Sequence, residues 1–287
     1  MKHIYRLLFT CVLTVLFCSG ASGSEKYEKI IRDKIRSKSK GFLSKSPMER
    51  QKTAANLLRQ TKAADILAEE MASMLTHKNP FVRQKALYVL GELGDASLPH
   101  SKSIFGMLND PDDLVVSSAL IAFGKIHADP FSKISEKEKD FFEKQLASVL
   151  DKNLRLLNSR HLYEQDRAVQ RLISLSAYGQ VLCRKITPLF KNKDERVIQR
   201  LLKIVESIGP AAEDCLSLVT GYLNPEKYTT QTVLLAIQAA GAVRMTDAET
   251  VKRLTGILLN STHENTAEAA VQALCRIGTP EAARAVV

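Results

Sequence analysis

The chain repeats itself, and that limits its possible folds more than any motif does. Residues 75–94, LTHKNPFVRQKALYVLGELG, lie without gaps on 108–127, LNDPDDLVVSSALIAFGKIH, at an offset of 33. Val82 falls on Val115, Ala86 on Ala119, Leu87 on Leu120, Leu90 on Phe123, Gly91 on Gly124 and Leu93 on Ile126. Residues 190–209 fit the same frame through Val197, Leu201, Leu202, Val205, Ile208 and Gly209. Residues 259–278 fit through Ala270, Val271, Leu274, Ile277 and Gly278. Residues 231–244 fit if Gly241 takes the place of Gly91, and 165–179 keep only Leu172, Leu175 and Gly179. A unit this short cannot hide its apolar face alone, so successive copies must stack on one another.

Each copy has the same local physics. A polar turn containing Asn79-Pro80 or Asp110-Pro111 precedes a run whose apolar residues recur at helical spacing. Proline suits the first helical position, and small residues such as Ala86 and Gly91 let a neighbouring helix approach closely. Gly94 stands just past the last apolar position, where a helix ends in a positive-φ residue. A second amphipathic helix should follow, as in 98–108 (Leu98, Ile104, Phe105, Leu108) and 251–259. Aromatic residues make up only 6% of the chain and tryptophan is absent, so the core must be built from Leu, Ile, Val and Ala. The expected fold is all-α, a solenoid of about six stacked antiparallel helix pairs over 48–287. The rhythm is irregular at 128–165. There Ser135 to Glu138 spell a capping box and predict a lengthened helix after a loop.

These residues resemble a HEAT repeat of the short class found in bacterial and phycobilisome lyase-like proteins. Pro80, Val82, Arg83, Ala86, Leu90, Gly91, Leu93 and Gly94 match that pattern, and the resemblance covers roughly Met48 to Val287. Later copies depart from it: Val116 stands where Arg83 does, and Glu206 and Cys275 stand where Gly91 does. The resemblance implies a helical superhelix and says little about task, because such arrays serve many.

Two N-terminal segments lie outside the repeats. Residues 1–23 read as a secretory signal peptide: Lys2 and Arg6, then the apolar run Leu7 to Phe17, then the small residues CSGASG. This predicts export, to the periplasm or outside the cell. Lipidation at Cys18 fits less well, because the bulky Phe17 precedes it. Residues 24–47 form a basic helix and linker; 25–46 carry eight Lys or Arg against three acids, with Tyr27, Ile30, Ile31 and Ile35 at helical spacing. The expectation is a solvated helix whose narrow stripe docks on the body near a linker at SKSKG. The alternative is a peripheral contact with an anionic membrane.

The chemistry is sparse. Gly91-x-x-Gly94 ends a helix and has no following Gly-Lys-Ser/Thr, so it does not read as a phosphate loop. Five histidines beyond the leader are scattered without metal-ligand spacing, and NDPDDL at 109–114 lacks the ligand pattern of a calcium loop. Cys183, Cys215 and Cys275 are widely spaced. Three small core residues is the preferred reading, with one disulfide plus a thiol as the alternative. No catalytic, metal or cofactor site is expected.

The net charge of +10 suggests a basic surface, and Arg83, Arg167, Arg196 and Arg200 recur near the starts of repeat helices. In a solenoid such positions line up, so a ridge binding an acidic or peptide-like protein partner is expected; the alternative for Arg83 is a structural bridge to an acid or carbonyl of an adjacent turn. Few aromatics interleave for base stacking, so nucleic acid is not. The expected function is an exported, non-catalytic scaffold using its concave face. The alternatives are a lyase-like or enzyme-accessory factor acting on a bound prosthetic group, and a membrane-surface scaffold anchored through 25–46. The stub GTPEAARAVV leaves self-association at the C-terminal end open.

Overall fold

The computed structural model describes residues 25–59 and 63–287; the leader read over 1–23 lies outside the described residues. Every regular element among them is helical. In chain order these are α1 (25–39), α2 (Pro47–Leu58), α3 (Ala64–Ser73), α4 (Pro80–Leu93), α5 (Ser101–Gly106) and α6 (Asp113–Ile126). Then come α7 (Glu136–Leu156), α8 (Leu162–Ser174), α9 (Gly179–Ile186), α10 (Glu195–Ile208) and α11 (Leu216–Gly221). The last are α12 (Thr230–Val243), α13 (Ala248–Asn260), α14 (Glu264–Ile277) and α15 (Pro280–Val286). The chain packs as two compact units that divide between His127 and Ala128.

In the first unit the turn chemistry does what the sequence predicts. Asn79 accepts a hydrogen bond from the Phe81 N–H to start α4, with Pro80 in the first turn, and Asp112 accepts from Leu114 and Val115 to start α6. Gly94, at φ +55°, ends α4. Helix α4 buries Val82, Ala86, Leu87 and Leu90, and lies along α6, which buries Val115, Ala119, Leu120 and Phe123. Gly91 sets their separation: a methyl group there would come within 3.0 Å of the Ala122 Cα.

Two expectations fail in this unit. The second helix expected over 98–108 is short: residues Gly94–His100 form a 3-10 segment containing Pro99, and α5 has only 6 residues. Leu98, expected on the apolar face, is therefore 43% exposed, while Ile104 and Leu108 remain buried. The segment near SKSKG is also not a loose linker. It folds as a 3-10 turn, Lys40–Leu43, that buries Phe42 completely.

The second unit repeats the design. Ser135 and Glu138 form the expected capping box, and α7 runs for 21 residues. Helices α8, α10, α12 and α14 stack in sequence, with Gly209 and Gly278 at positive φ ending α10 and α14. At Gly241 the approach is closer still: a methyl group there would lie 2.8 Å from the Ala273 Cα. Thr279 caps α15 and Pro280 starts it; the helix packs on α14 and buries Ala282.

The cysteines correct the preferred reading. Cys183, on α9, and Cys215, just before α11, form a disulfide across 32 residues. One repeat apart, they occupy matching places in successive units, which brings the two thiols face to face in the core. Cys275, expected on a buried face, is exposed.

The same periodicity creates polar ladders. Within the second unit, Lys185 reaches Asp151 at 2.7 Å, Asn192 donates to Asn158 at 3.3 Å, and the Thr229 N–H donates to Glu195 at 2.9 Å, each across 34 residues. In the first unit Lys85 donates to Gln51 at 2.7 Å across the same interval. Many of the polar side chains at the surface thus join one repeat to the next.

Candidate partner-binding surface

Arg83 belongs to the framework. Its Nε and Nη2 donate to the two Asp110 carboxylate oxygens at 2.7 Å each, and its Nη1 donates to the carbonyls of His77 (2.8 Å) and Lys78 (3.2 Å). Both side chains are largely buried. The Asp110 hydrogen bond raises the Arg83 pKa despite its burial. Burial alone would raise the Asp110 carboxyl, but hydrogen bonds from Arg83 and the Asp112 N–H, with the Arg83 charge, hold it below the usual carboxylate range. Two other residues share this task of capping the carbonyl six residues back. Arg50 donates to Ser44 at 2.6 Å and Gln165 to Ser159 at 2.6 Å.

The other three arginines of the expected ridge lie together in the second unit. Helix α10 packs beside α8, and Arg200 sits one repeat after Arg167, as Leu201 sits after Ala168 and Val205 after Leu172. Arg200 is partly committed: Nη1 donates to the Arg196 carbonyl at 3.2 Å, Nη2 lies 3.9 Å from Asp166, and its buried Nε has no hydrogen-bond partner. Arg167 is exposed and lies 5.2 Å over the exposed Tyr163 ring. Arg196 is exposed in the first turn of α10, and Lys203 is exposed two turns on.

Arg171 completes the group, and sequence reasoning missed it. It stands one turn after Arg167, so Tyr163, Arg167 and Arg171 follow each other at i, i+4 and i+8 along α8. That spacing was the available signal. Its copy of the repeat is degenerate, which hid the register. Half-buried Arg171 has its pKa lowered first by burial and then by the neighbouring Arg167 charge. Among the described residues, no carboxylate pairs with Arg167, Arg171 or Arg196. The result is a stripe of four arginines and a lysine, with an aromatic ring and one weakly held acid. It can accept carboxylates by bidentate guanidinium pairing and can pack a flat side chain on Tyr163.

Elsewhere in the second unit, a cleft of about 680 Å³ lies between residues 223–230 and the turn joining α13 and α14. Two of its polar side chains are engaged within the protein: Arg253 donates to the Glu249 carboxylate at 2.7 Å and the Thr220 carbonyl at 3.2 Å, and Asn260 donates to the Gly256 carbonyl at 2.8 Å. His77 also serves a turn, accepting from the Asn79 N–H at 3.0 Å.

The family model Cnd1, described as non-SMC mitotic condensation complex subunit 1, matches residues 52–207. No curated protein matches the chain. Among solved structures it is similar to an engineered protein at 17% identity, covering 88% of this chain and 70% of that one, with a TM-score of 0.44. It is similar to the complex of CpcE and CpcF of phycocyanin lyase from Nostoc sp. PCC7120 at 15% identity, covering 86% and 90%, with a TM-score of 0.46. The match to human deoxyhypusine hydroxylase in complex with glycerol has 14% identity, coverage of 87% and 97%, and a TM-score of 0.34.

Proposed function

Because the chain belongs to the Cnd1 family and is built of HEAT-like helical repeats, we propose that it is a non-catalytic scaffold that grips an acidic segment of another protein. The stripe on α8 and α10 is the gripping surface. One observation carries this reading: Arg167 and Arg171 are adjacent cations, one of them half-buried, and among the described residues no carboxylate pairs with either. Placing like charges together at partial burial costs free energy, and an anionic partner recovers it. Tyr163, beside them, supplies the rigid aromatic contact that interface centres favour.

The scaffold acts outside the cytoplasm in this reading. Its support is the leader pattern in residues 1–23, together with the Cys183–Cys215 disulfide, a bond that persists in oxidising compartments.

Fluorescence anisotropy with a labelled poly-glutamate peptide tests the stripe. The wild-type chain should bind it in a salt-dependent way, and Arg167→Glu with Arg171→Glu should weaken binding at least about tenfold, as expected for truncating an interface anchor. Equal affinity in wild type and variant overturns the assignment of the stripe.

A further inference from the structure

Helix α1 has two faces with different fates. On one, Ile35 and Ser39 are buried, and Arg32 and Arg36 are spent on α3. Arg32 Nη2 pairs with Glu69 at 2.5 Å, and Arg36 holds Glu70 through Nε at 2.7 Å and Nη2 at 2.8 Å. Glu28, on the same side, lies 3.9 Å from Arg32. These contacts fix the rotation of the helix. A step of about 100° per residue then turns Lys26, Ile30, Lys34 and Tyr27 away from the body, with Lys29 at the edge of that face beside Arg36.

All five are exposed, Tyr27 by 66% and Ile30 by 57%. No acid pairs with the three lysines among the described residues, and Asp33 is the one carboxylate on that side. We propose that this outward face of α1 is a contact site for an anionic lipid surface.

The chemistry favours lipid over a protein groove. Two large apolar side chains stand among lysines, whose long stems let their charges reach headgroups while the apolar groups enter the interface. Tyrosine is the ring suited to headgroup depth. The chain upstream also fits. In the sequence, the apolar run ending at Phe17 stands seven residues, 18–24, before α1. A chain that loses it contacts the surface reversibly through this face alone, because one short amphipathic face binds weakly. The site is separate from the stripe on α8 and α10 and does not depend on the function proposed for that stripe.

The chain has no tryptophan, so Tyr27→Trp places a single fluorescent reporter on this face. The protein as purified from the cell envelope is mixed with vesicles of phosphatidylglycerol or of phosphatidylcholine. The expected result is a blue shift and co-flotation with the anionic vesicles, absent or far weaker with the neutral ones. Lys26→Gln, Lys29→Gln and Lys34→Gln together should cut anionic binding on the order of a hundredfold, from about a fivefold effect per lysine near such a surface. Arg167→Glu with Arg171→Glu should leave it unchanged. Circular dichroism of each variant confirms that the helices are intact. No shift with anionic vesicles overturns the proposal. So does equal binding of the triple variant, or a shift produced by poly-glutamate in place of lipid, which would make the face a protein-docking site.

Discussion

Arg83 and Asp110 are 27 residues apart, yet they form a two-pronged ion pair with both bonds at 2.7 Å. The pair ties the turn before α4 to the turn before α6, and the same arginine caps the His77 carbonyl. Four hydrogen bonds from one largely buried guanidinium hold the two turns together. Removing one partner strands the other charge, so Asp110→Asn should cost about 2 kcal/mol. Urea unfolding monitored by circular dichroism measures it; a loss below about 0.5 kcal/mol would show that water replaces the carboxylate.

The same pair has a pH signature. The Asp110 pKa is depressed in the folded chain, so folding favours its ionised form. Its contribution is complete above the ordinary carboxylate pKa of about 3.9 and is lost as pH falls through the lower folded value. Acid should therefore destabilise the wild type more steeply than Asp110→Asn, and the two stabilities should converge at low pH. Parallel pH profiles would mean that Asp110 is not perturbed.

Helix spacing can be tested at two glycines. Gly91→Ala brings a methyl within 3.0 Å of the Ala122 Cα, and Gly241→Ala within 2.8 Å of the Ala273 Cα. Backbone cannot rotate aside as a side chain can, so each variant should lose about 1–3 kcal/mol, Gly241→Ala the more. Gly106 at the end of α5 meets nothing within 4 Å, and Gly106→Ala should be neutral or slightly stabilising. Thermal melts of the three variants give the ranking directly.

The sequence made the repeat helices legible because their apolar stripes and Asn-Pro or Asp turns are local signals. Val82, Ala86, Leu87 and Leu90 are buried as their spacing predicts. The partner of a polar residue is harder to read, because it lies a repeat away. The repeat register suggests that Arg83 bridges to an adjacent turn, but nothing local to it singles out Asp110, and nothing local to Cys183 says that Cys215 stands opposite. Leu98 misleads for another reason: Pro99 and the 3-10 geometry turn it outward, although its spacing to Ile104 fits a helix. At the candidate stripe the positions of Arg167, Arg196 and Arg200 were visible from the repeat. The half-burial of Arg171 depends on how α8 packs against its neighbours, which no local signal carries.

The Cys183–Cys215 bond closes a loop of 32 residues in sequence and staples successive repeats in the second unit. Cross-linking restricts the unfolded chain, and a loop of this size corresponds to about 3–4 kcal/mol. Replacing both residues with serine, or unfolding under a reductant, should lower the melting temperature by several degrees. Mass spectrometry after alkylation of the unreduced, denatured protein should label neither Cys183 nor Cys215 but should label Cys275. Alkylation of all three before reduction would show that the bond does not form.

Arg171 offers the sharpest separation between a structural and a binding role. Burial and the Arg167 charge both disfavour its ionised form, opposed only in smaller part by Tyr163, and among the described residues no carboxylate pairs with it. If Arg171 were part of the framework, like Arg83, replacing it would weaken the fold. If it is held for a partner, the unbound protein should gain from losing it, as residues kept for function often cost stability. Arg171→Leu should therefore raise the stability of the unbound chain by about 0.5–1 kcal/mol, a modest figure because half the group remains screened by solvent. The same variant should lose most of its affinity for poly-glutamate, whereas Arg171→Lys keeps the charge, loses the bidentate fork and should bind with intermediate affinity. Urea unfolding and peptide anisotropy on the same samples read both effects. A destabilised Arg171→Leu that still binds the peptide would move Arg171 out of the stripe and into the framework.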